Sequence, residues 1–142
     1  MTSRTHRAFG LVATVVVVAA VAWGFWIVGS PETRRTERLD ERRIQDLRAI
    51  VAEMQDLVWD DQERVMKREL FTELSAVAAA ARWRRLTLVD PETGAAYEYR
   101  ILDAHRYELC ATFDMARDDD HAVFWNHPAG RHCWTVDVRD AP

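Results

Sequence analysis

The sequence predicts an α+β fold: an N-terminal transmembrane helix continuing into an amphipathic helix that packs on a small antiparallel sheet. Three observations carry this. No charged residue occurs from Phe9 to Gly29. Apolar residues then recur at helical spacings of three and four between Ile44 and Val58. Beyond Arg85 the period changes to two, the alternation of a half-buried strand. A chain of 142 residues is normally one domain, and the apolar run takes part of it. Four segments result: a cytoplasmic N-terminus at 1–8, a transmembrane helix at 9–29, a helical region at 30–85 and an antiparallel β-sheet subdomain at 86–142.

The first run, rich in Val and Ala, matches the roughly 20 residues that cross a hydrocarbon core about 30 Å thick. Trp23, Phe25 and Trp26 crowd its C-terminal end, where aromatic rings settle at headgroup level. A cleaved signal peptide is the competing assignment, because Arg4 and Arg7 precede the run and Ala20-Val21-Ala22 is an A-x-A triplet. Cleavage there would leave a greasy new terminus at Trp23, and the run exceeds the roughly 7–15 residues of a signal core. An uncleaved anchor is therefore expected. Gly10, Ala13, Ala19, Ala20 and Gly24 are small enough to let a partner helix approach closely.

Charge does not orient the anchor. Arg4 and Arg7 flank one end, and Arg34, Arg35, Arg38, Arg42 and Arg43 flank the other. All 23 acidic residues but only 17 of the 19 basic ones follow the run, leaving that part at net −6. This argues against a nucleic-acid partner, which needs a basic face. Lys67 is the sole lysine, and the arginines form no obvious patch.

Ser30-Pro31-Glu32 predicts a helix start, with a capping serine, a proline at the first helical position and a glutamate at the positive dipole end. The helix runs to about Trp59, and Ile44, Leu47, Val51, Met54 and Val58 form its apolar stripe. The stripe is expected to pack on its own sheet. The alternative is a coiled-coil seam for a protein partner, but the pattern is shorter than the three or four heptads that would argue for one. Asp60 to Arg85 predicts a second helix or helical arm, because Met66, Leu70, Leu74, Val77 and Ala81 keep helical spacing.

The strands follow. Leu86–Val89 is a short one, and Asp90-Pro91-Glu92-Thr93-Gly94 is a turn in which glycine takes the left-handed conformation. Tyr97, Tyr99 and Ile101 alternate with polar neighbours, and a turn at Asp103–His105 leads into Tyr107, Leu109, Ala111 and Phe113. Ala122–Trp125 is a brief strand, and His132, Trp134, Val136 and Val138 alternate in the last one. The result is three or four antiparallel strands with one apolar face.

That parity places Cys110 and Cys133 together on the outer face, as a bridge between neighbouring strands requires. A disulfide suits an oxidising compartment and so places the C-terminal domain outside the cytoplasm. Two alternatives stand beside it. A zinc site would recruit His127 or His132, though no C-x-x-C or H-x-x-x-H spacing is present. A catalytic thiol would need an activating base that the sequence does not identify. His121, His127 and His132 lie near aspartates without a recognisable nucleophile motif, and there is no Gly-rich phosphate loop or internal repeat. The chain reads as no enzyme, with no cofactor.

Asp90-Pro91, Gly94, Tyr97-Glu98-Tyr99 and Tyr107-Glu108-Leu109 resemble the D-P-x-G-x-P-Y-x-Y … Y-x-L stretch of major pseudopilins. The layout of a greasy helix, an amphipathic helix and a small antiparallel sheet is likewise similar to type IV pilins and type II secretion pseudopilins. The resemblance covers that stretch and the layout. It departs at the N-terminus, where Gly10 is followed by Leu11-Val12-Ala13-Thr14-Val15 in place of a processing site with a glutamate at the fifth mature position. That glutamate, costly in lipid, pairs with a neighbouring subunit. The resemblance implies calcium near the final loop, where Asp114, Asp118, Asp119 and Asp120 offer hard oxygen ligands. The loop lacks the D-x-D-x-D-G order, and no bound metal is predicted.

The expected function is that of a single-pass protein of the bacterial inner membrane. Its C-terminal domain would sit in the periplasm or at the cell exterior, as a structural or interaction subunit of an envelope complex. The alternatives are a pseudopilin-like component of a secretion or pilus system, and a small periplasmic metal-binding or redox protein.

Overall fold

The computed structural model describes residues 2–28, 31–82, 84–140 and 142, with side chains in the first helix described at position 6 and from 8 to 24. The chain forms two compact units, Met1–Arg35 and Thr36–Pro142.

In the first unit, helix α1 spans Thr2–Val28. Its described side chains are exposed along their whole length, among them Phe9, Leu11 and Trp23. Thr14 Oγ1 donates back to the Gly10 carbonyl at 2.9 Å, so its hydroxyl is satisfied within the helix. Among the described residues no helix is long and apolar enough to cross a membrane. The span expected at 9–29 runs past them, since the side chains of Phe25 to Gly29 lie outside the described set, as does the capping Ser30.

Helix α2, Pro31–Val58, begins at the expected proline and ends one residue short of Trp59. All five residues of its stripe are buried, and Ile50 widens it. They share one core with Tyr97, Tyr107, Leu109, Ala111, Phe113, Trp134, Val136 and Val138 from the sheet side. The stripe therefore packs on its own domain. Of the residues expected as an alternative partner seam between Ile44 and Val58, the five stripe side chains are 0–2 % exposed within the domain.

The segment from Asp60 to Arg85 departs from the expected helix. Strands β1, Trp59–Asp60, and β2, Val65–Met66, form a small hairpin instead. Asp60 Oδ1 accepts from the backbone amides of Gln62 and Glu63 at 3.0 and 3.1 Å, a local bond that competes with helix continuation. Arg64 takes a left-handed φ of 54°, which closes the turn. Among the described residues of the predicted arm, helix α3, Leu74–Ala80, is the helical part. Leu70, Leu74 and Val77 are buried all the same, Leu74 and Val77 within a helix as the pattern predicts and Leu70 outside one.

The main sheet is antiparallel in the order β3 (Glu98–Ile101), β4 (Arg106–Phe113), β5 (Gly130–Asp137). Parity runs as the alternation predicts, with Tyr107, Leu109, Ala111 and Phe113 buried on one face of β4. Ile101 shares that parity but is left exposed at the sheet's end. The turn at Asp90 forms, with Gly94 at φ 71°. Two expected strands do not. Leu86–Val89 contributes a single bridge, Val89 to Ala96. Val123–Trp125 is a 3-10 turn, held where Trp134 Nε1 donates to the Phe124 carbonyl at 2.7 Å.

Candidate functional site

Three arrangements in the second unit bring chemistry-bearing residues together. The first is centred on Arg43, whose side chain is 3 % exposed. It lies beside Ile44 on the inward arc of α2, three residues after Asp40. Its Nε donates to Asp90 Oδ2 at 2.6 Å and its Nη2 to Asp90 Oδ1 at 3.3 Å, a two-pronged grip. Nη1 reaches Asp40 at 2.6 Å and Asp114 at 2.7 Å, and Nη2 reaches Glu92 at 3.1 Å. Asp40 also accepts from the amides of Asp114 and Met115, and Asp90 from those of Glu92 and Thr93. One guanidinium thus ties the helix to the turn after Val89 and to the end of β4. Burial acts to lower the Arg43 pKa, and the bonds from Asp90, Asp114 and Asp40 outweigh it, so the charge is held more firmly than usual. For Asp90, burial acts upward and Arg43 with the two amides outweighs it, bringing the pKa down to about 2. Every prong of the guanidinium is occupied, so the chemistry here is that of a clasp. The sequence reading missed it, although Asp40 and Arg43 fall on the stripe's own arc at an i, i+3 spacing.

The second arrangement is the outer face of the sheet. Cys110 and Cys133 are directly opposite across β4 and β5 and form a disulfide, with Cα atoms 4.0 Å apart. Both sit on the outer face as parity required, yet Cys110 is only 2 % exposed. An arginine–glutamate lattice covers it. Arg131 Nη2 lies 3.4 Å from Cys110 Sγ while its guanidinium grips Glu98 at 2.7 and 2.9 Å, and Arg100 pairs with Glu108 at 3.0 Å. A groove of about 850 Å³ opens over these residues. Of the histidines considered as zinc partners, His132 borders this groove but its ring is engaged elsewhere. His132 stands edge-on to Trp134 at 4.5 Å, and buried His127 stacks on Phe113 at 3.7 Å.

The third is a groove of about 710 Å³ between the outer side of α2 and residues 121–125. Arg48, Arg84 and His121 line it with Val123, Phe124 and Trp125, and among the described residues no Asp or Glu does. The Arg48 guanidinium lies 5.5 Å from the Trp125 ring, and its buried Nε has no hydrogen-bond partner among the described residues. Val123 is 67 % exposed. In a domain with an acidic excess this is a local concentration of cations and apolar surface.

The aspartates expected as calcium ligands are placed apart in role. Asp114 belongs to the Arg43 clasp, and Asp118 accepts from Asn126 at 3.3 Å. Asp119 pairs with Arg117 at 3.0 Å and accepts the His121 amide, while Asp120 is exposed. Among the described residues the four do not converge on a common point; the group of metal-capable side chains that does is Glu108, Cys110 and Cys133. Comparison with protein families, with curated proteins and with solved structures returned no match.

Proposed function

We propose that this chain is a single-pass membrane protein whose C-terminal α+β domain works outside the cytoplasm as an interaction subunit of a bacterial envelope complex. The observation that carries the address is the Cys110–Cys133 bridge, since such bonds form and persist in oxidising compartments. The charge-free run from Phe9 to Gly29 supports the anchor, because an exposed apolar stretch of that size is a liability in water and an asset in lipid. A pilin-like arrangement is supported by α2 and an antiparallel sheet sharing one core. The groove of Arg48, Arg84 and Val123 is the surface for a partner, and its charge fits an acidic segment with an apolar side chain beside it.

The address is tested by fusing, after Pro142, a reporter enzyme that is active only outside the cytoplasm. Activity is expected; activity confined to a cytoplasmic reporter at the same position would overturn it. For the partner surface, a photo-crosslinker at Val123 is expected to capture a protein from native membranes, and Arg48→Glu is expected to abolish that adduct. An adduct unaffected by the charge reversal would rule the groove out.

A further inference from the structure

We infer that the outer face of the sheet holds a second chemistry in its reduced form: with the bridge open, the two cysteine thiolates and the Glu108 carboxylate bind a thiophilic divalent cation such as Zn²⁺. Bridge and metal are then alternative occupants of one place.

The ladder supplies the geometry. Cys110 and Cys133 face each other in register, flanked on both sides by paired residues, so opening the sulfur–sulfur bond leaves the backbone to hold the sulfurs together. Glu108 precedes Cys110 by two residues and therefore shares its face, with Oε2 3.9 Å from Cys110 Sγ. The three ligand atoms lie within 4.8 Å of one another. Tetrahedral zinc, with bonds of about 2.0–2.3 Å, needs ligand atoms roughly 3.5–3.8 Å apart, so the bonded sulfurs must part to that distance, while Glu108 Oε2 at 3.9 Å from Cys110 Sγ needs to move little.

The surroundings complete the site. Arg131 stands 3.4 Å from Cys110 Sγ, fixed by Glu98, and donates to sulfur as an outer partner of a thiolate ligand does. A dication with two thiolates and one carboxylate leaves a single negative charge, which this guanidinium faces. Arg100 pairs with the same Glu108 oxygen, Oε2, at 3.0 Å and so fixes the carboxylate beside the sulfurs. The groove above gives access, and a fourth position is left for water.

Reduction balances as a two-electron step. A water-soluble trialkylphosphine attacks one sulfur, and the other leaves as thiolate. Water then displaces the second thiol, so the phosphine ends as its oxide and the protein as two thiols. Metal binding releases the thiol protons.

The test uses the full chain in detergent, reduced with phosphine, desalted without oxygen and titrated with Cd²⁺ as a spectroscopic stand-in for Zn²⁺. One equivalent is expected to bind with sulfur-to-metal charge-transfer absorption, and none to the oxidised chain. Cys133→Ser is expected to abolish the band, and Glu108→Gln to weaken binding by at least the ~10–100-fold that disturbing a ligand's surroundings costs. Should reduction unfold the sheet, the cation is expected to restore its circular dichroism, because binding is then coupled to folding. Absence of both the band and the refolding would overturn the inference. So would binding that is indifferent to Glu108→Gln.

Discussion

Arg43 sets one positive charge against four carboxylates, two of them nearly buried. Removing it strands the charges of Asp40 and Asp90 in a place water reaches poorly. Arg43→Ala is expected to cost about 3–5 kcal/mol in urea denaturation, and Arg43→Lys to recover only part, since an ammonium cannot grip Asp90 with two prongs. The same residue sets an acid limb. Asp90 is depressed from 3.8 to about 2 in the folded state, so its contribution is complete above the ordinary value and lost as pH falls through about 2. In Arg43→Ala that part of the limb is expected to flatten. Two tyrosines make the opposite comparison. Tyr107 OH is buried without a partner among the described residues, whereas Tyr99 OH donates to the Phe71 carbonyl at 2.7 Å. Tyr107→Phe is expected to raise stability by about 1 kcal/mol and Tyr99→Phe to lower it by about as much, read from the shift of the urea midpoint.

At the scale of elements, the turn from Asp90 to Gly94 positions two of the clasp's carboxylates. Gly94 has a left-handed φ of 71° with open space around its Cβ position, so only backbone strain opposes a side chain. Gly94→Ala is expected to cost about 1 kcal/mol in thermal unfolding, and Gly94→Asn less, because asparagine tolerates that conformation. Helix α2 was legible almost to the residue, because proline marks its start and its stripe keeps one period for four turns. The strands were legible in parity, because one face is buried and a slip of one residue would reverse every side chain. The stretch from Asp60 to Arg85 was not. It contains neither glycine nor proline, and its apolar spacing suits a helix. Its actual path is set by the Asp60 turn and by contacts such as Tyr99 to Phe71, 28 residues away.

At the scale of the molecule, the bridge closes a loop between cysteines 23 residues apart in a domain with a modest core. Reducing it without metal is expected to lower the denaturation free energy by about 3 kcal/mol, measured against the oxidised chain at equal pH. By itself the sequence determined the charge-free run, the long amphipathic helix, the face each strand turns inward and the pairing of its only two cysteines. Each of these is a periodicity or a composition, readable over a few neighbouring residues. The tertiary structure alone decided the Arg43 clasp, the cover over Cys110 and the cationic groove. Their members lie far apart in sequence, up to 71 residues from Arg43 to Asp114, and meet only because folding buries them side by side. A charge's partner is chosen by distance in space, and no local pattern carries that information.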